Sequence, residues 1–165
     1  MKKPFICLQS DFGLYWGSVS SMHGVIASID PELQVRDISH LLPLYQPWAA
    51  SFCLNYTMPC WPEGTIFVSV VDPGVGASRR GCAAKTAAGQ YIITPDNGTL
   101  THVKAGVGIT EVRELDEKNR RPGTERYETF HGRDIFAYAA GRLGAGIAGF
   151  ESLGPAYPVE EIKTF

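Results

Sequence analysis

Polar and apolar positions along the chain switch repeatedly between a strand-like and a helix-like rhythm. Phe5 to Gln9 is a short apolar run that reads as a buried strand, and Ser10-Asp11-Phe12-Gly13 then turns the chain. From about Gly17 to Ile29, Val19, Met22, Ile26 and Ile29 share one helical face, and Pro31 stops the helix just beyond. Val35 to Ile38 predicts a second strand. Pro47 suits the first turn of a helix because its missing N–H is not needed there, so Trp48 to Tyr56 predicts a helix closed by Pro59 and Pro62. Thr65 to Val71 is the clearest strand. Cys82 to Thr86 and Gln90 to Thr94 flank Ala87-Ala88-Gly89 and predict a hairpin. Asp96-Asn97-Gly98 is turn chemistry that can open a short helix to about Lys104, and Gly108 to Leu115 predicts another strand. The polar stretch from Asp116 to Glu128 reads as an exposed loop. From His131 to Leu143, Ile135, Phe136, Ala139, Ala140 and Leu143 fall on one side of a helix. After Gly144 the pattern loses its period.

This alternation predicts an α/β fold: a mostly parallel sheet with helices on both faces and a small hairpin. Residues 1–150 form the α/β domain, and 151–165 are a tail or the start of a further domain. Ligands of such sheets sit beyond the carboxyl ends of the strands, where Asp11, Asp37 and Asp72 could share one rim. The chain has 165 residues, 44% hydrophobic and 19% charged, enough for one domain with a substantial core. A net charge of −2 without a basic tract argues against a nucleic-acid face, and no apolar run reaches a membrane span. The apolar run after Lys2-Lys3 is too short for a signal peptide, so a cytoplasmic setting is expected. Cys7, Cys53, Cys60 and Cys82 form no C-x-x-C pair and read as reduced, buried or half-buried thiols. Cys82, near Arg79 and Arg80, is the mild candidate for reactivity. No dense His/Asp/Glu cluster suggests a metal.

The most informative segment is Val70-Val71-Asp72-Pro73-Gly74-Val75-Gly76-Ala77-Ser78-Arg79-Arg80, where an acid follows a buried strand and guanidinium groups close the same loop. Asp72 and Arg79 could serve a site or simply close the loop as an ion pair. His131 opens a helix, where the positive end of the helix dipole favours neutral imidazole; it could orient a water or accept a proton, or merely cap the helix. Asp11 could accept both hydroxyls of a ribose or cap its own turn. His23 and His102 lie on predicted helices and read as surface or satisfied residues, and His40, after the second strand, has no assigned part. Gly74-Val75-Gly76-Ala77-Ser78-Arg79 lacks the last glycine of a dinucleotide loop, and neither a Walker loop nor G-x-S-x-G is present.

Five motifs then occur in order: Ser10-Asp11-Phe12-Gly13, Val35-Arg36-Asp37-Ile38-Ser39-His40, Phe67-Val68-Ser69-Val70-Val71-Asp72-Pro73-Gly74-Val75-Gly76, Thr94-Pro95-Asp96-Asn97-Gly98 and Thr129-Phe130-His131-Gly132-Arg133-Asp134-Ile135-Phe136. Together they resemble the S-adenosylmethionine hydroxide adenosyltransferase family, related to fluorinases and chlorinases. The resemblance implies metal-free and cofactor-free hydrolysis of S-adenosylmethionine to adenosine and methionine, with a nucleoside as the small-molecule partner. It places an Asp–Arg–His triad on Asp72, Arg79 and His131, with Arg80 the less suitable arginine. The ribose-binding acid falls on Asp11, and a pocket-lining aromatic residue on Tyr45. Halogenating relatives replace the triad acid, so Asp72 points to water. The family also carries a C-terminal β-barrel domain and assembles as a trimer with pockets between subunits. The resemblance therefore implies a homotrimer, or a separate barrel partner, because this sequence stops at Phe165, about where the barrel should start. The alternative is a nucleoside-binding domain without turnover.

Overall fold

In the computed structural model, which describes residues 2–165, seven strands form one open sheet in the order β2-β1-β3-β5-β4-β6-β7. The strands are β1 (Phe5–Ser10), β2 (Gln34–Ser39), β3 (Ile66–Val70), β4 (Gly81–Thr86), β5 (Tyr91–Pro95), β6 (Ile109–Glu114) and β7 (Ala156–Tyr157). The pairings β2–β1, β1–β3 and β3–β5 are parallel, whereas β5–β4, β4–β6 and β6–β7 are antiparallel. The sheet is therefore mixed. The hairpin reverses β4, but β6 returns to the common direction, so only β4 and β7 run against the other strands.

Alternation along the buried strands feeds two cores. Ile6, Leu8, Ile66, Val68, Val70 and Ile93 point to one face, under α1 (Ser18–Ile29) and α4 (Tyr138–Gly144). Cys7, Phe67, Cys82, Ala84 and Ile92 point to the other, under α2 (Pro47–Thr57) and α3 (Thr101–Ala105). Such two-sided burial is why β1 and β3 are almost continuously apolar. Burial pushes the Cys7 thiol up to about 12 and raises that of Cys82 as well, which removes Cys82 as a reactive thiol. Cys60 is exposed rather than buried.

Three segments depart from the sequence reading. The helix after His131 begins as a π-helix, Gly132–Ala137, before continuing as α4. Stretches of this kind are frequent at functional sites. The polar segment 116–128 is not simply exposed, because Asn119, Arg120 and Thr124 are buried. Its anchor is Asp134, wholly buried, whose carboxylate accepts from Nε of Arg133 at 2.8 Å and Nε of Arg121 at 3.2 Å, while its carbonyl accepts the Arg121 N–H at 2.7 Å. The segment after residue 150, aperiodic in sequence, packs onto the same sheet: Phe150, Leu153 and Ile162 are buried, and β7 pairs with β6. Asp96 holds this segment by accepting the Lys163 N–H and the Tyr157 hydroxyl.

Asp134→Ala removes the counter-charge and hydrogen-bond acceptor of two guanidinium groups. It is expected to cost about 3 kcal/mol, read as a lower urea midpoint with an unchanged slope.

Candidate active site

Two acids stand at the carboxyl ends of adjacent parallel strands, Asp11 after β1 and Asp72 after β3. Asn97 supports the second, donating from Nδ2 to the Val71 carbonyl at 2.8 Å and so tying the strand exit to the turn after β5. Beyond Asp72 the loop turns at Gly76, whose φ of +77° is left-handed and whose Cβ position would lie 3.1 Å from the Glu128 carbonyl. That turn sends Arg79 back over Asp72.

The guanidinium of Arg79 donates from Nε to both carboxylate oxygens of Asp72, at 3.0 and 3.1 Å, and from a terminal nitrogen to Oδ2. The same nitrogen lies 2.8 Å from Nδ1 of His131. Both side chains of the ion pair are nearly enclosed, Arg79 9% and Asp72 6% exposed. Arg80 turns the other way, to Glu161 and over the ring of Tyr157. His131 reaches the cluster because Gly132 has no side chain: a Cβ there would sit 3.0 Å from Val70 and 3.1 Å from Phe12.

Since arginine only donates, Nδ1 of His131 must be the accepting nitrogen, and a neutral ring then carries its proton on Nε2. Nε2 is buried without a hydrogen bond, and its nearest carboxylate is Glu128, 3.6 Å away. The His131 pKa lies below its ordinary value: burial is the main cause, and the Arg79 and Arg120 charges add to it, partly offset by Glu128 and Asp72. The ring is therefore neutral at pH 7.

A cavity of about 300 Å³ opens in front of these groups, lined by Asp11, Tyr45, Asp72, Phe130 and His131 among others. Arg79 lines a second, more polar cavity behind, of about 400 Å³, and His131 forms part of both walls. Asp11 accepts the backbone N–H of Tyr45 at 2.9 Å. Tyr45 itself sits at φ +59°, unusual for a residue other than glycine. The five positions singled out in the sequence thus converge. Asp37 does not join them: it lies within β2, bonded to His23 and His40, rather than on the rim. His102 is satisfied by Ser51. Asn97, Gly132, Asp134 and Glu128 were missed as contributors. Asn97, Gly132 and Asp134 lay within the ordered motifs, but only the fold reveals what they touch. Among the described residues no group of three His, Cys, Asp or Glu is placed to hold a metal ion, and no helix is long and apolar enough to cross a membrane.

A cavity beyond the carboxyl ends of β1 and β3, walled by ionisable groups, is the ligand-site arrangement of open α/β sheets. Comparison with known proteins makes the class specific. Residues 6–154 match the SAM hydroxide adenosyltransferase N-terminal domain, where SAM is S-adenosylmethionine, and the chain belongs to that family. It is 39% identical over 155 residues to a protein of Salinispora tropica named (R)-S-adenosyl-L-methionine hydrolase, covering 93% of this chain and 58% of that one. It is 28% identical to a fluorinase of Nocardia brasiliensis, covering 99% of this chain and 61% of that one. The fluorinase alignment runs over 189 positions against the 165 of this chain, so it includes insertions that this chain lacks. A crystal structure of an uncharacterised conserved protein from Thermotoga maritima superposes with a TM-score of 0.92 at 34% identity, covering 98% of this chain and 60% of that one. The chain spans about three-fifths of the length of these relatives.

Titration of His131 by NMR is expected to give a pKa below 6.5, and Glu128→Gln is expected to lower it further by removing a favourable charge. For a depressed histidine pKa the unfolded chain binds the extra proton. The stability contributed by the neutral ring is therefore complete above about pH 6.5 and declines as pH falls through that value towards the folded pKa. Denaturation midpoints across that range check the sign.

Proposed function

We propose that this domain hydrolyses S-adenosylmethionine to adenosine and methionine, with Asp72, Arg79 and His131 around the attacking water. The observation that supports this reading is the convergence of an acid, a guanidinium and an imidazole, from two distant loops, beside one cavity that also contains Asp11. Water attacks the ribose C5′ and the sulfonium leaves as a neutral thioether, so the leaving group needs no acid. The nucleophile is the difficulty: free hydroxide at neutral pH would cost roughly 12 kcal/mol. Holding the water in line and taking its proton as the C–O bond forms lowers that cost.

The hydrogen-bond directions divide the work. With its Nδ1 lone pair engaged by Arg79 and a proton on Nε2, His131 has no lone pair left for a proton. Asp72 keeps carboxylate lone pairs beyond those facing Arg79 and borders the cavity, so it accepts the proton. Arg79 fixes Asp72 and stabilises negative charge developing on oxygen. Asp11, whose Oδ1 has no donor among the described residues, receives the ribose hydroxyls, and Tyr45 borders the nucleoside. A carboxylate at the nucleophile position also repels a halide, which favours water over the chemistry the fluorinase name implies for that relative.

A second reading has its own support. The chain spans about three-fifths of its relatives, and the cavity wall includes exposed apolar side chains, Leu44, Tyr45 and Val75. On that reading the domain binds a nucleoside without turning it over until a barrel partner, or neighbouring subunits of a homotrimer, cover the rim. The free thiols suit a reducing cytoplasm.

Incubation with S-adenosylmethionine followed by chromatography is expected to yield adenosine, and Asp72→Asn is expected to lower the rate about a hundredfold or more. No adenosine above that variant, together with adenosine binding by calorimetry, selects the binding module. Light scattering is expected to report a trimer; a stable, active monomer would exclude the shared-pocket assembly.

A further inference from the structure

The motif Val35-Arg36-Asp37-Ile38-Ser39-His40 contributes nothing to the cavity directly, yet it ends in the most completely bonded histidine of the chain. Nδ1 of His40 lies 2.7 Å from Oγ of Ser10, and its Nε2 lies 3.0 Å from Oδ1 of Asp37. The same Asp37 oxygen accepts from Nε2 of His23 on α1, at 2.8 Å. Ser10 is wholly buried and His40 is 3% exposed. The carboxylate is an acceptor only, so Nε2 of His40 donates to Asp37, and in the neutral ring Nδ1 then accepts from the Ser10 hydroxyl. Ser10 Oγ in turn accepts the Phe12 N–H at 3.2 Å. With a neutral ring, the hydrogen bonds from Phe12 through Ser10 and His40 to Asp37 all run one way.

Serine, histidine and aspartate in this order resemble a nucleophilic triad, but Ser10 is wholly buried and does not line the cavity in front of Asp72, so it cannot meet a substrate there. What the chain does instead is join two loops. His40 begins the segment that runs to Tyr45, and Ser10 ends the strand that presents Asp11. Backbone bonds close the same seam: Gly13 N–H donates to the His40 carbonyl at 2.7 Å, and Leu42 N–H to the Ser10 carbonyl at 3.3 Å. At its far end Tyr45, in its left-handed backbone conformation, donates its N–H to Asp11. A residue at φ +59° persists only where its surroundings over-determine it, and the sole buried side-chain anchor of this segment is His40.

We propose that His40 is a positioning residue of the nucleoside pocket: by its bond to Ser10, with Asp37 only orienting the native ring, it fixes the 40–45 segment on the end of β1, so that Tyr45 and Asp11 keep the mutual geometry that a ribose diol meets. The pocket assignment rests on the function proposed above; the joining of the two loops does not.

Two substitutions separate the ends of the bridge. In His40→Asn the amide oxygen falls near the position of Nδ1 and can still accept from Ser10. In His40→Gln the amide falls near Nε2, reaches Asp37 and abandons Ser10. Amide hydrogen exchange without nucleoside is expected to accelerate about tenfold at Leu42 and Tyr45 in His40→Gln, the loss of one buried hydrogen bond, and to stay near wild type in His40→Asn. Amides of the β4–β5 hairpin are expected to be unchanged in both. Ser10→Ala removes the bridge from its other end and is expected to match His40→Gln, which keeps the test decisive if one variant does not fold. Adenosine affinity, by calorimetry, is expected to fall about tenfold in His40→Gln and Ser10→Ala and to be retained in His40→Asn. Exchange at Leu42 and Tyr45 as in wild type for His40→Gln and Ser10→Ala overturns the proposal. So does acceleration spread equally over the hairpin, which would make His40 a general stabiliser. Absence of adenosine binding to the wild-type protein would instead overturn the pocket assignment, while the exchange data still decide what His40 does.

Discussion

The guanidinium of Arg79 is shared between two side chains that enter from opposite directions, and the geometry of the candidate site follows from that sharing. It engages both oxygens of Asp72 and reaches Nδ1 of His131 in an almost enclosed space. Charges removed from water are expensive unless paired and hydrogen-bonded, so neither partner is free to leave. Because arginine donates and never accepts, the same contact fixes which nitrogen of His131 carries the proton. The division of roles proposed for the three groups rests on the orientation of that one donor.

Much of the surrounding structure holds this contact in place. Asn97 fixes the exit of β3, Gly132 lets the π-helix press against Val70 and Phe12, and Asp134 straps down the segment that carries Glu128. The second acid is held by a separate device, the chain from the exposed Asp37 through buried His40 to buried Ser10. The two supports meet at the ends of neighbouring strands. The sheet is therefore the rigid body, and the chemistry sits on short loops whose shapes are over-determined by side-chain hydrogen bonds. Leu44, Tyr45 and Val75 leave exposed apolar surface at the cavity, consistent with a domain whose relatives are longer.

The alternating rhythm of the chain was enough to place β1 to β6 and α1 to α3 within a few residues, because two-sided burial and proline or glycine punctuation are local signals. The acid and the histidine were legible as members of ordered motifs, and the arginine as part of the loop that follows Asp72. The choice of Arg79 over Arg80 came from the resemblance, and the fold has a geometric counterpart: the intervening turn at Gly76 aims one inward, while Glu161 and Tyr157 draw the other outward. Asp37 was misplaced on the rim, since a strand position read from sequence does not reveal which neighbour its side chain will find.

What the sequence determined by itself was the set of chemical groups, their order and the class of sheet, since these depend on local period and residue identity. Tertiary structure alone decided the mixed strand order, the π-turn after His131, the docking of β7 and the hydrogen-bond partners in the two side-chain networks. Those features depend on contacts between residues tens of positions apart, such as the 52 that separate Arg79 from His131. No local pattern encodes them; packing and the need to satisfy buried polar groups do.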